Sequence, residues 1–311
     1  MKIKKIISSL LAMSMTMSMA CTTAFADYDT YIIGQYGCKQ INTSILQNNG
    51  ITTLALDEYE PNDFDNPKSI GGINSFSNPL ITVNAGLSVT DGDTMDGYSF
   101  YTSKYNGFEV EEVFVQIIGL EPGDVFNLLI TGDDKAYVAE TVYGDLGNGI
   151  GYLLPTCNKY NIYISLMNGS NSEINYTLQV ASRYVHDTQQ FYARPTTIKY
   201  SSNSNFSSPG YITISESNMP SSAIVDAIFI NGTITNTRTG KSGGTCTVRL
   251  KNGSEEIAGP CPSKMNDLTH YNIPLVGTWE IAYHPDLYAF DNHTLSNFSA
   301  TFDFTYDILV G

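Results

Sequence analysis

Short segments in which apolar and polar residues alternate recur along most of the chain, separated by Gly, Asn, Asp and Pro. Examples are VFVQIIGL, VFNLLITG, YTLQVAS, YITISES, TCTVRLKNG and GTWEIAY. Alternation of this kind places one side of an extended segment in a core and the other side in solvent, as in antiparallel β-strands. The short, regularly spaced strands predict an all-β protein built from antiparallel β-sandwiches rather than from α/β units.

The length of the chain, 311 residues, exceeds that of one ordinary sandwich and predicts two consecutive sandwich domains. A polar stretch, RYVHDTQQFYARP followed by SSNSNFSSPG, marks the junction between them. The predicted organisation is a signal peptide at 1–26, an N-terminal arm at 27–55, a first sandwich at 56–183, a linker at 184–195 and a second sandwich at 196–311.

The N-terminus has the pattern of a secretory signal, in which lysines precede an apolar stretch and the triplet AFA at 24–26 offers a cleavage site. The apolar stretch is too short to cross a bilayer, and no later window contains the ~20 apolar residues of a transmembrane helix. We therefore expect a secreted, extracellular protein whose mature chain starts at Asp27. A second interpretation stays open, in which the sequence SMAC directs lipidation of Cys21.

The chain is acidic, with 16 Lys and Arg against 31 Asp and Glu and a formal net charge of −15 at pH 7. Most of the acidic residues lie before residue 186. Solvation at the surface accounts for much of this charge. Because the sequence offers no basic patch to displace counterions from phosphates, nucleic acid is excluded as a partner.

Four cysteines follow the predicted signal, Cys38, Cys157, Cys246 and Cys261, and they permit three disulfide pairings in an exported chain. Cys246 and Cys261 flank TVRLKNGSEEIAGP, which has the pattern of a hairpin with its turn at the Asn-Gly step. A bridge between them fits if the strands pair in register, and Cys38 would then pair with Cys157 by elimination. No zinc-type cluster of Cys and His is present in the sequence, so we expect no transition-metal site.

The densest group of carboxylates in the sequence is DEYEPND, which starts at residue 57. Glu58, Glu60 and Asn62 follow each other at period two, so an extended chain points all three side chains to one side. Pro61 disfavours the helical region for the residue before it and keeps the segment extended. Oxygen-bearing side chains therefore converge on one side of this segment.

Asp63 adds a carboxylate at the following bend, and the later sequence DGDTMDGY contributes Asp93 and Asp96. Like charges held together cost free energy unless a cation binds, and a carboxylate-rich set of oxygen ligands is what Ca²⁺ prefers. The competing interpretations are a solvated linker and an ordinary acidic loop. An EF-hand is rejected, because the twelfth position of such a loop is Thr102 rather than Glu.

The order EPND, a Gly-Asp-x-x-Asp-x-Tyr step, LEPGDVFNLLI and a closing YNIYISLMNGSNSEINYTLQV resembles the bacterial pre-peptidase C-terminal domain, which serves as the collagen-binding domain of clostridial collagenases. The resemblance covers about residues 55–182. It implies a jelly-roll-like sandwich whose acidic opening segment docks against later aspartates and holds Ca²⁺. The ligands that it implies here are Glu58, Glu60, Asn62, Asp63, Asp93 and Asp96. That family's module normally follows a peptidase, which this sequence does not contain.

The C-terminal half is weakly similar to the P-domain of subtilisin-type proteases, through an Ile/Val-Asp strand opening, a hairpin, a Gly-Thr-Trp step and a long last strand. Trp279, the only tryptophan, suits a strand in the core, and its alternative role is a platform for sugar stacking. The 21 tyrosines add rigid amphipathic contact area of the kind that adhesive surfaces use.

Catalytic chemistry needs a nucleophile, a base and orienting groups that converge, and the sequence shows no such motif. The four histidines, His186, His270, His284 and His293, lie in predicted loops and outside known catalytic motifs. We therefore expect a secreted, non-catalytic, calcium-binding protein that binds an extracellular polymer or protein, either a glycan or a collagen-like chain. The alternatives are a hydrolase with its site in the C-terminal half and a structural protein of the cell surface or matrix.

Overall fold

The computed structural model describes residue 59 and residues 62–133, 135–144, 149–286 and 291–310. The regular secondary structure of this part of the chain is nearly all β-strand, and its one helix is a single 3-10 turn at Thr269–Tyr271. The prediction of an all-β fold with antiparallel sheets is therefore confirmed. The predicted signal peptide 1–26 and arm 27–55, with Cys21 and Cys38, lie outside the described residues.

Compact packing divides the chain into two units between Arg183 and Tyr184. The strands of the first unit are β1 (Lys68–Ile73), β2 (Leu80–Ser88), β3 (Met95–Thr102), β4 (Glu112–Ile118), β5 (Val125–Gly132), β6 (Lys135–Tyr143), β7 (Ile150–Pro155), β8 (Lys159–Leu166) and β9 (Glu173–Ser182). One sheet has the order β1-β3-β8-β5-β6 and the other has the order β2-β9-β4-β7. Of the pairings between these strands, only that of β1 with β3 is parallel.

Aromatic side chains fill much of the core between the two sheets of the first unit. Phe100 of β3 stacks on Tyr160 of β8, with ring centroids 4.8 Å apart and an angle of 9° between the planes. Tyr98, Phe126 and Tyr176 are also fully buried in this core. Burial of several large rings supplies a major part of the hydrophobic stabilisation of a unit of this size.

The second unit has its own pair of sheets. Its strands are β10 (Tyr184–Tyr192), β11 (Thr197–Tyr200), β12 (Gly210–Ile214), β13 (Ile224–Asn236), β14 (Cys246–Asn252), β15 (Glu255–Cys261), β16 (Ser263–Met265), β17 (Gly277–Pro285) and β18 (His293–Asp307). The first sheet has the order β10-β18-β13-β16, with β11 also paired to β18, and the second has the order β12-β17-β14-β15. Its pairings are antiparallel.

The predicted linker at 184–195 forms a strand instead. Residues 184–192 are β10, which pairs along its whole length with β18. The segment has the composition of a linker because most of its side chains are exposed. Val185 is nonetheless buried, and Phe191 packs edge-on against core residue Phe302 with centroids 5.9 Å apart. These two inward apolar side chains set which face of β10 is buried and so specify its register against β18.

The predicted hairpin at the cysteine pair forms with unbroken register. Cys246 lies directly opposite Cys261, and pairing continues to the turn without a bulge. The turn residues are Gly253, with φ of 61°, and Ser254, so the turn is one residue later than the Asn-Gly step predicted for it. The buried side of β14 carries Cys246, Val248 and Leu250, which are the apolar positions of the alternating pattern.

Trp279 lies in the core of the second unit rather than on a binding surface. Its side chain is 1 % exposed, its ring packs against Phe302 with centroids 4.9 Å apart, and its Nε1–H donates to the carbonyl of Leu275 at 2.9 Å. A buried Trp whose N–H finds a partner is a stable core arrangement. The platform interpretation of Trp279 is therefore excluded by its burial.

Replacement of Phe302 by Ala should lower the unfolding free energy of the second unit by about 3–5 kcal/mol, because it leaves a ring-sized cavity beside Trp279. Fluorescence of Trp279 during denaturant unfolding reports this unit directly, since no other tryptophan is present. The matched control is Phe229→Ala in the neighbouring strand β13, where the ring is 43 % exposed. Equal losses in the two variants would contradict the assigned core.

Candidate metal centre

The segment that precedes β1 docks against the start of β3 through a backbone contact. The carbonyl oxygen of Asn62 accepts a hydrogen bond from the N–H of Gly97. A Cβ added to Gly97 would lie 2.5 Å from the carbonyl oxygen of Asp63 and 2.9 Å from that of Asn62. Only glycine at position 97 therefore lets the segment approach the strand this closely.

Aromatic contacts hold the same segment on both sides of Asn62. Tyr59 meets Tyr98 of β3 edge-on, with ring centroids 5.9 Å apart. Phe64 packs against Tyr163 of β8 at 4.6 Å, and Tyr163 is the residue paired with Gly97. The described residues of the segment are thus anchored on two adjacent strands of one sheet.

A buried hydrogen-bonded chain joins the two sheets at this place. The hydroxyl of Tyr176, from β9, donates to Oδ2 of Asp96 in β3, and the hydroxyls of Tyr98 and Tyr176 lie 3.1 Å apart. Asp96, Tyr98 and Tyr176 are all fully buried. Burial raises the pKa of Tyr176 well above its ordinary value, and the Asp96 carboxylate raises it further. Tyr176 therefore stays protonated and remains a donor to Asp96 at ordinary pH.

The side chain of Asn62 is buried without hydrogen bonds among the described residues. Asn62 is 1 % exposed, and neither its Oδ1 nor its Nδ2 has a hydrogen-bond partner there. A buried amide that forms no hydrogen bond costs roughly 1–3 kcal/mol per unsatisfied group. A bound water or ion is one way in which a native fold satisfies such a side chain.

Asp93 lies in the loop that leads into β3. Its backbone carbonyl accepts a hydrogen bond from the N–H of Ser88 at 2.7 Å, which closes the loop between β2 and β3. The hydroxyl of Ser88 in turn accepts from the N–H of Asp91 at 3.3 Å. The Asp93 side chain is half-buried, with one carboxylate oxygen enclosed, whereas Asp91 is exposed. The loop thus fixes the position of Asp93 three residues before Asp96.

Asp63, another predicted ligand, is exposed and shapes a turn. Its Oδ1 accepts from the N–H groups of Asp65 and Asn66 at 2.9 Å each and from Nδ2 of Asn66 at 3.1 Å. Glu58 and Glu60 lie outside the described residues. Among those that are described, no group of three or more His, Cys, Asp or Glu side chains is placed to hold a metal ion.

Two contributors to this site were absent from the sequence-based prediction. Tyr176 belongs to the segment EINYTLQV, where its spacing marks it only as a buried strand residue. The backbone carbonyls of Asn62 and Asp63 carry no sequence signal at all. Gly97 lies within β3, where its role is close packing.

The predicted placement of the histidines in loops is wrong for three of the four. His186, His284 and His293 belong to β10, β17 and β18, and only His270 lies in the 3-10 turn. Nδ1 of His186 is 2.6 Å from Oγ1 of Thr305, which donates to Asp226 at 2.5 Å. The three side chains form a part-buried hydrogen-bonded chain across the paired strands β10, β18 and β13.

The chain was compared with known proteins. No family model matches it, and no curated protein matches it. Among solved structures, a protein of Eubacterium rectale named as a candidate secreted protein is 14 % identical, with 86 % of this chain and 89 % of that chain covered and a TM-score of 0.33. The major capsid protein P2 of bacteriophage PM2 is 8 % identical, with 73 % and 98 % covered and a TM-score of 0.21.

A further similar structure contains the M60 catalytic domain with two CBM51 domains of Clostridium perfringens ZmpB. It is 7 % identical, covers 73 % of this chain and 34 % of that chain, and has a TM-score of 0.23. Similarities at this level carry no argument about function. In the part of the chain that the structure describes, no helix is long and apolar enough to cross a membrane.

Replacement of Gly97 by Ala should detach the segment around Asn62, because the added methyl group overlaps two backbone carbonyls. Chymotrypsin should then cleave after Tyr59 and Phe64 about tenfold faster, which corresponds to ~1.4 kcal/mol of lost docking free energy. The control is Ser99→Ala, which shortens a side chain two residues further along β3. Unchanged cleavage in the Gly97 variant would contradict the docking role.

Proposed function

We propose that the first unit binds Ca²⁺ where the segment around Asn62 docks on β3. The observation that carries this proposal is the buried Asn62 side chain, which has no hydrogen-bond partner among the described residues and lies in a cradle that only Gly97 permits. An amide oxygen beside carboxylates is the type of donor that Ca²⁺ takes from proteins. The resemblance to the pre-peptidase C-terminal domain supports the same site.

The charge of Asp96 gives a second reason for a cation. Asp96 is a fully buried carboxylate that accepts a hydrogen bond from Tyr176, and a cation bound beside it would offset the cost of burying its charge. Ca²⁺ takes six to eight oxygen ligands, so Asn62, Asp93 and Asp96 would need the carboxylates of Glu58 and Glu60, backbone carbonyls or waters to complete the set. The exposed Asp63 would act through its backbone and through the turn that it caps.

The role of the ion in this proposal is structural. It would neutralise the crowded carboxylates and tie the opening segment to β3, and so stabilise the folded state by mass action. The chain would be exported and non-catalytic, in keeping with its signal-like N-terminus.

Millimolar Ca²⁺ should raise the melting temperature of the full chain relative to EDTA by roughly 5–10 °C, as expected for a site of extracellular affinity near saturation. In Asp96→Asn this difference should vanish, because the ion loses a charged ligand. The matched control is Asp91→Asn, which removes one charge from an exposed position in the same loop and should keep the full calcium response. Titration calorimetry measures the binding itself, and identical melts of the unaltered protein in Ca²⁺ and EDTA would exclude the site.

An exposed group of aromatic side chains favours a binding role for the same unit. We define the aromatic ridge as Phe76, Tyr105 and Phe108. The Phe76 ring stacks on Tyr105 with centroids 5.4 Å apart and 17° between planes. Tyr105 and Phe108 are 37 % and 38 % exposed. Rigid aromatic rings at the surface supply contact area at a small entropic cost.

Tight turns hold the aromatic ridge in place. The N–H of Tyr105 donates to the carbonyl of Phe108 at 3.0 Å, and the N–H of Phe108 donates to the carbonyl of Tyr105 at 2.9 Å, across a two-residue turn with positive φ at both positions. Oδ1 of Asn74 accepts from the N–H of Phe76 at 2.9 Å and from the next two residues. Because these turns order the ridge before binding, little further conformational entropy is lost when a ligand makes contact.

The proposed ligand of the aromatic ridge is an extracellular polymer or protein, either a glycan or a collagen-like chain. Sugar and proline rings both present apolar faces to which aromatic side chains stack. The acidic composition of the chain disfavours a polyanionic ligand.

Tyr105→Ala should weaken binding to the polymer about tenfold, since it removes the central ring of the ridge. Binding is measured by co-sedimentation with insoluble glycans and by titration with collagen-like peptides. The control is Tyr143→Ala, which removes a 73 % exposed ring of β6 that lies outside the ridge. An equal effect of both variants, or no binding to either class of polymer, would refute the role of the ridge.

The same assays separate the two alternative functions. Release of soluble product from a polymer would make the protein a hydrolase. Calcium-dependent self-assembly in the absence of polymer would make it a structural protein of the cell surface or matrix.

A further inference from the structure

We propose that Cys246 and Cys261 form a disulfide that closes the β14–β15 hairpin of the second unit in the exported protein. The strongest observation is the register, because the two residues lie directly opposite each other at the open end of the hairpin. The seven residue pairs from Cys246–Cys261 to Asn252–Glu255 are continuous and without a bulge. A disulfide between strands needs this direct opposition, since its Cα atoms must lie within about 7 Å of each other.

Burial favours the same pairing. Both cysteines are 0 % exposed and belong to the core of the second unit, and in the structure their thiols are free. Forming the bond would therefore leave both residues out of contact with water.

Cys261 lies at the end of β15, which is the edge strand of its sheet and has β14 as its paired neighbour among the described strands.

The oxidant is a disulfide, carried by an exported thiol–disulfide oxidoreductase or by a small molecule. The thiolate of one of the two cysteines attacks one sulfur of this disulfide and releases the other as a thiolate, which gives a mixed disulfide. The second cysteine then loses its proton and displaces the remaining thiolate of the oxidant, so that the bond between Cys246 and Cys261 forms. Two protons and two electrons leave the protein, and the oxidant is reduced to two thiols. The exchange takes place while β15 is undocked during folding.

Cys157 provides an internal comparison. It belongs to the first unit, its thiol donates to the carbonyl of Lys159 at 2.9 Å, and burial raises its pKa to about 11. Of the described cysteines, Cys246 and Cys261 lie directly opposite each other and Cys157 lies in the other unit, so the strand register selects the cross-strand pair for oxidation.

Tryptic mapping of the exported full chain tests the bridge without any mutation. Cleavage at Lys241, Arg249, Lys251 and Lys264 places Cys246 on peptide 242–249 and Cys261 on peptide 252–264. After alkylation under denaturing conditions without reductant, we expect these two peptides joined, with a mass two hydrogens below their sum. Reduction should separate them. Both peptides found alkylated and unlinked, or either one linked to another cysteine, would overturn the proposal.

A stability measurement gives a second readout. Reductant should lower the melting temperature of the second unit, followed by Trp279 fluorescence, by roughly 5–10 °C, as expected for opening a loop of this size. The double variant Cys246→Ser/Cys261→Ser should show no response to reductant, and Cys157→Ser should keep the full response. A reductant effect that persists in the double variant would assign the shift to a different bond and contradict the proposal.

Discussion

A carboxylate enclosed between two β-sheets must be hydrogen-bonded or neutralised, and Asp96 imposes that requirement on the first unit. The donor comes from the opposite sheet, because Tyr176 belongs to β9 and Asp96 to β3. The hydrogen bond between Tyr176 and Asp96 fixes how the two sheets align at one end. The hydroxyl of Tyr98, which lies 3.1 Å from that of Tyr176, adds a third side chain to this hydrogen-bonded chain. The docked opening segment, the loop with Asp93 and the proposed calcium site all depend on this buried polar group.

Close packing at Gly97 is the second condition for the site. Asp96 and Tyr98 point into the sandwich, while the glycine between them leaves room for two backbone carbonyls. A strand that alternates buried polar, glycine and buried aromatic residues makes a polar core contact on one side and a backbone contact on the other. One short stretch of β3 thereby joins its own sheet, the opposite sheet through Tyr176, and the segment around Asn62.

Sequence patterns predicted the strands well where alternation was clear, as in β14 with its inward Cys246, Val248 and Leu250. They failed for β10, since its outward residues are polar and only Val185 and Phe191 mark the inner side. In the candidate site, the period-two spacing singled out Asn62, but the burial of its amide depends on tertiary contacts that no local pattern contains. Tyr176 lies 80 residues from Asp96 along the chain. Its role therefore follows from the pairing of whole sheets rather than from any motif.

The position of β15 at the edge of its sheet has a consequence for solubility. An edge strand presents unpaired backbone groups, to which the strand of another molecule can add and so begin aggregation. The strand carries Glu255 and Glu256 at its start, and charged side chains on an edge strand hinder the addition of a further strand. Pro260 has no N–H to offer an incoming strand. The same strand that holds Cys261 in the core therefore resists polymerisation along its outer edge.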